Sequence, residues 1–109
     1  MAEQTKKEQS ENSEQSAANY RLPHGTTLQH CAKLGIVEDK PVMFDYWTSS
    51  VDKKIIIGVR ANEEKLLVKS EDEYTRPIIK IYKVETEYII ITENSIYVVS
   101  SEIATKRIT

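Results

Sequence analysis

From Pro41 onward, short apolar runs alternate with charged or small-residue links. The runs are Val42 to Thr48 (VMFDYWT), Lys54 to Val59 (KIIIGV), Lys65 to Lys69 (KLLVK), Pro77 to Val84 (PIIKIYKV), Glu87 to Thr92 (EYIIIT) and Ser95 to Val99 (SIYVV). All have the length of strands and are rich in the β-branched and aromatic residues that fit a pleated surface. The links are Thr48 to Lys53, Arg60 to Glu64, Ser70 to Arg76, Glu85-Thr86 and Glu93-Asn94. None leaves room for a crossover helix, so successive strands are predicted to run antiparallel as a meander.

Period-2 alternation within the central runs predicts how the sheet is covered. One face of Pro77 to Val84 carries Ile78, Lys80, Tyr82 and Val84, and the other Ile79, Ile81 and Lys83. Beyond the turn, Tyr88 and Ile90 oppose Ile89 and Ile91. Neither face is polar, so this hairpin needs cover on both sides. A helix can supply one side; the other calls for a second layer, closure into a barrel or a partner. Gly58 predicts a bend or bulge, and Asn94 a tight hairpin turn with positive φ. Pro77 suits the start of a strand. Residues 100–109, with Ile103 and Ile108, form either a last edge strand or a loose end.

Ahead of the strands, Thr26 as N-cap, Gln29 completing a capping box and Gly35 as terminator predict a helix over residues 26–35. Leu28, Cys31, Ala32 and Leu34 share its apolar face, and Ile36 is placed to fold back onto it. The predicted fold class is α+β, mostly β: a short N-terminal helix packed on a five- to seven-stranded antiparallel meander, with a small closed barrel as its limiting form. At 109 residues the chain has room for one such core, spanning residues 21–109.

Composition changes the picture at the N-terminus. Residues 1–19 contain no Val, Ile, Leu, Phe, Tyr or Trp, and are predicted to be a disordered polar tail. Lys6 and Lys7 against Glu3, Glu8, Glu11 and Glu14 leave that tail at net −2, and the remaining 13 basic and 13 acidic side chains cancel. A neutral folded part lacks the cationic footprint of a duplex-binding protein. No apolar stretch approaches the roughly 20 residues of a membrane span, and no secretory signal is visible. One cysteine excludes an internal disulfide and fits a reducing compartment. The expectation is a soluble, intracellular, cytoplasmic protein.

Candidate chemistry is sparse. His30 and Cys31 are adjacent, which on a helix points them about 100° apart and prevents a nucleophile–base contact. His24, His30 and Cys31, even with Asp39 or Asp45, match no compact metal spacing. Glu63-Glu64 and Glu71-Asp72-Glu73 lie in predicted turns among lysines, as solvated surface does. Gly25, Gly35 and Gly58 are not spaced for a phosphate loop. These patterns predict a protein that is not an enzyme, with no cofactor, no metal, no small-molecule substrate and no membrane partner.

Tyr46, Trp47, Tyr82, Tyr88 and Tyr97 fall on predicted strands and are the candidate anchors of a protein interface, with another protein or a second copy. An assembly or adaptor module is the expected function. The alternative is an RNA or single-stranded nucleic-acid binder, such as an mRNA- or translation-linked adaptor. There the same aromatics would stack bases, and Lys80, Lys83, Lys106 and Arg107 would contact phosphates.

The blocks DYWTSSVDKKIIIGVRANEEKLLVKSEDEYT (residues 45–75) and PIIKIYKVETEYIIITENSIYVV (residues 77–99) resemble small proteins of giant, mimivirus-like DNA viruses of amoebae. The resemblance implies a viral protein in a cytoplasmic virus factory or virion. Its role there would be an adaptor in capsid, genome-packaging or mRNA machinery. That family has no agreed activity, so no residue role carries over from it.

Overall fold

The computed structural model describes residues 21–109, so the predicted tail at 1–19 lies outside the described residues. Two helices and seven strands follow in the order α1 (Gly25–Glu38), β1 (Val42–Met43), α2 (Trp47–Val51), β2 (Ile56–Val59), β3 (Lys65–Val68), β4 (Ile78–Val84), β5 (Glu87–Thr92), β6 (Ile96–Ser100) and β7 (Ala104–Arg107). The strands form two sheets, one ordered β1-β6-β5-β4 and the other β3-β2-β7. The class is α+β and mostly β, and the barrel is not formed.

Side-chain alternation along β5 and β6 explains the layering. Ile89, Ile91, Ile96 and Val98 point to one face, where they bury Cys31 of α1 and Trp47 of α2. Ile90 and Val99 point to the other, where they pack with Ile55, Ile57 and Leu67 of the three-stranded sheet and with Ile103. The two-sided hairpin is therefore covered by helices on one side and by a second sheet on the other. Strands buried on both faces read as nearly continuous apolar runs, as this hairpin does.

Successive strands that pair do so antiparallel: β2 with β3, β4 with β5, and β5 with β6. A single antiparallel meander is nevertheless incorrect. Strand β1 pairs with β6 in parallel, and β7 with β2 in parallel. Short links constrain only neighbours in sequence. These two pairs are joined by long intervening chain, which leaves their direction free.

The helix also differs at both ends. It starts on His24, which makes no side-chain cap. Thr26 is therefore not the cap, and the hydroxyl of Thr27 is spent on Glu87 instead. Gly35 lies inside the helix, which ends at Asp39 in the left-handed region (φ 56°). Its lack of a side chain serves close packing, because a Cβ there would sit 3.2 Å from Val42 Cγ2. Ile36 does not fold back and is 81% exposed.

The run from Val42 breaks after two strand residues. Tyr46 takes helical φ and ψ, and Trp47 opens α2, so neither aromatic lies on a strand. Helix α2 puts the indole onto the apolar face of β5 and β6, where its N–H donates to the Arg21 carbonyl at 2.6 Å. The Ser50 hydroxyl donates to the Trp47 carbonyl and accepts the Ser100 N–H, tying α2 to β6.

Two backbone features fall elsewhere than predicted. Gly58 sits in unbroken register with both neighbours and makes room for Ile108 and Val68, whose side chains would lie 2.8 and 3.0 Å from an added Cβ. The bulge is at Ile79, between Ile78 and Lys80. Asn94 is not among the residues with positive φ. Its loop is closed by Thr92, whose N–H and hydroxyl both donate to the Ser95 carbonyl. The C-terminal segment is an edge strand, and Ile108 N–H continues the pairing to the Val59 carbonyl.

Candidate interaction surface

The five candidate aromatics do not form one surface. Tyr46 and Trp47 are 4% and 6% exposed and belong to opposite core clusters. Tyr97 stacks edge-on against Tyr46 with ring centroids 5.4 Å apart, and Tyr88 packs on the same cluster. Burial pushes the Tyr46 hydroxyl up to about 12, with Glu73, Tyr97 and Asp45 adding to the shift. Tyr82 alone among them faces solvent appreciably, at 38% exposure. Tyr46 and Trp47 thus spend their area inside the protein and are not available to anchor an external interface, while Tyr88 and Tyr97 are half-buried.

The four basic residues are exposed but fall on different sheets, Lys80 and Lys83 on β4 and Lys106 and Arg107 on β7. The Arg107 guanidinium is engaged by Glu63 at 3.1 Å and by the Arg60 carbonyl at 3.1 Å. A cavity between the β2–β3 turn and β4 sets Glu63 and Glu64 beside Ile79 and Lys80. Carboxylates therefore interleave with this basic set.

What the fold does assemble lies between α1 and β4. Strand β4 ends the four-stranded sheet, so one side of its seven residues has no strand partner among the described residues. The bulge removes Ile79 from strict alternation. As a result Ile78 and Ile81, three apart, both face the second sheet, and Val84 packs toward the helices. Helix α1 runs over the same face of the sheet and leaves a groove of about 360 Å³ beside β4. His30, Lys33, Leu34 and Val37 form its helical wall, at the i, i+3, i+4, i+7 spacing of a single helix face. Tyr82, Lys83 and Val84 supply the strand wall, with Ile89 below. Val37 is 68% exposed and Ile79 62%, Val37 on this groove and Ile79 at the cavity by the β2–β3 turn.

Sequence reasoning missed Val37 because it ended the helix at Gly35, and it passed over Lys33 inside the predicted helix because it considered only the apolar face. The helical spacing from His30 was the available signal.

One end of α1 is locked to β5 by a buried carboxylate. Glu87 has no exposure, although it lies on the apolar face shared with Ile89 and Ile91. It accepts from Thr27 Oγ1 at 2.6 Å, His24 Nδ1 at 2.8 Å, the His24 N–H at 3.3 Å and Thr86 Oγ1 at 3.2 Å. An ionised carboxylate only accepts, so Nδ1 carries the hydrogen in that pair. Burial raises the carboxyl, but the hydrogen bonds from Thr27 and His24 outweigh it and hold Glu87 below the ordinary carboxylate value. The charge also lies at the positive end of the α1 dipole. The period-2 pattern pointed to Glu87, since it places the side chain in line with two buried isoleucines.

Cys31 is 1% exposed, and burial together with the Glu87 charge pushes its thiol up to about 11. That is the opposite of the depressed pKa an attacking thiolate needs. Among the described residues, no three His, Cys, Asp or Glu side chains gather as metal ligands, and no helix is long and apolar enough to cross a membrane.

No protein-family model matches this chain, nor does any curated protein or solved structure.

Proposed function

We propose that this protein is a non-catalytic interaction module, an adaptor or assembly factor that engages another protein through the β4 side of its larger sheet. The carrying observation is the seven-residue edge of β4 lying open beside the apolar groove it shares with α1. An edge strand offers a row of unpaired N–H and C=O groups, and adjacent pockets give such an edge selectivity. The high pKa of the buried Cys31 thiol and the structural employment of Glu87 support a non-catalytic reading. The resemblance to giant-virus proteins supports a setting in the host cytoplasm, a virus factory or a virion.

Size-exclusion chromatography with light scattering, monitored at 260 and 280 nm, tests this reading. The purified protein is run alone and after mixing with nuclease-treated extract of the cells that make it. A protein-only complex is expected, and it should be lost in a variant carrying Val37→Ser and Tyr82→Ser, both on the exposed groove wall. A species rich in 260 nm absorbance that dissolves at high salt would instead identify a nucleic-acid binder. No complex of any kind would remove the reading.

A further inference from the structure

Three cavities on the described surface differ in charge. The one beside Leu66 and Tyr74 includes Arg60 and Glu71, and the one at the β2–β3 turn includes Glu63, Glu64 and Lys65. The α1/β4 groove has Lys33 on its helical wall, Lys83 in its strand wall with the side chain turned to the face of Ile81, and no carboxylate in its lining. Neither lysine takes part in an ion pair among the described residues, whereas Glu38, at the end of α1, faces Lys40 at 3.9 Å. An apolar groove with a lysine on its helical wall and another on the far face of its strand wall, neither ion-paired among the described residues, is complementary to an extended apolar segment that carries carboxylates.

Backbone geometry selects the form of that segment. Among polypeptide partners, an extended chain matches the edge of β4 along its length, hydrogen-bonding to it and sending alternate side chains to opposite faces of the sheet. Those on the helix side would enter the groove. A second copy of this chain is the poorer occupant, because β4 against β4 gathers Lys80 and Lys83 of both copies along one seam.

Resting on the interaction reading above, we propose that the groove binds an acidic extended peptide that adds to β4 as the fifth strand of the larger sheet. An apolar side chain of the peptide sits on Leu34, Val37 and Val84; a carboxylate two residues away on the same face meets Lys33, and a neighbouring one, turned to the opposite face, meets Lys83.

The test uses three fluorescent probes against the full chain: a peptide of about ten residues with a central valine between glutamates that occupy both faces of the strand, its counterpart with lysine for glutamate, and a single-stranded oligothymidine of similar length. Fluorescence anisotropy is expected to show saturable binding of the acidic peptide, with the lysine peptide bound at least about tenfold more weakly. Hydrogen exchange should slow at β4 amides when the acidic peptide is present. A Lys33→Glu, Lys83→Glu variant, checked for folding by circular dichroism, should reverse the preference between the two peptides.

Equal binding of both peptides, oligothymidine binding as tightly as the acidic peptide, or binding without β4 protection would each overturn the proposal. So would dimerisation through β4 in the absence of peptide. A protein complex from cell extract that survives the double charge reversal would sink this inference and leave the interaction reading standing.

Discussion

Burial opposes the charge on Glu87, and the donors from Thr27 and His24 outweigh it, so the folded carboxyl titrates below its unfolded value. A depressed folded pKa means that the ionised group stabilises the fold at pH above the ordinary carboxylate range. That contribution drains away as pH falls through the folded value. Glu87→Gln is expected to cost about 1–3 kcal/mol at neutral pH, the usual penalty for unbalancing a buried polar cluster. In urea titrations, the gap between native and variant stability should shrink as pH is lowered below about 4. A gap that stays constant down to about pH 3 would show that the carboxylate charge is not what joins α1 to β5.

At the scale of elements, α1 ends where the chain must turn back to β1, and it does so at a residue poorly suited to the task. Asp39 holds φ at 56°, while the N–H groups of Asp39 and Lys40 both donate to the Gly35 carbonyl. A left-handed conformation is strained for a residue with a Cβ, and a carboxylate at a helix C-terminus opposes the dipole. Asp39→Gly relieves both, offset in part by glycine's larger backbone entropy. We expect a gain of about 1 kcal/mol, seen as a higher melting temperature. An unchanged or lower melting temperature would mean that the Asp39 side chain contributes something the backbone geometry does not reveal. On the sheet side, the bulge at Ile79 changes which residues of β4 face the core, leaving Ile79 outside while Ile78 and Ile81 pack against the second sheet. Bulges are common at sheet edges because they alter twist and limit unselective pairing.

For the whole molecule, β5 and β6 are shared by both core clusters, so neither the helix layer nor the second sheet has a core of its own. Ile89 and Ile90, each with no exposure, belong to opposite clusters yet are adjacent in the chain. Loss of either layer exposes the hairpin on which the other depends, and unfolding is expected to be a single cooperative event. Trp47 is the only tryptophan and its fluorescence reports the helix layer, whereas the backbone amide resonances of β2 and β3 report the second sheet. The two signals should give coincident urea transitions. Separate midpoints would show that the three-stranded sheet and the helix-covered sheet fold independently.

The α+β class, the strand runs at β2 to β6 and the need to cover the central hairpin on both faces were legible in the sequence. Strand period and local turn chemistry are set by residues close together in the chain. Which cover each face receives is a matter of long-range contact. The parallel pairing of β1 with β6 and of β7 with β2 joins segments separated by some fifty residues, and no local pattern encodes it. The same holds at Trp47, whose strand-like neighbourhood gave way to a helical turn that buries the indole between Arg21 and the face of β5 and β6. The α1/β4 groove exists only because the helix lies across the sheet and β4 ends it. The sequence by itself determined that the runs at β2 to β6 become strands and that a helix precedes them, through side-chain shape and period. Tertiary structure decided which aromatics are spent in the core and which edge stays open, because both depend on the burial that distant elements provide.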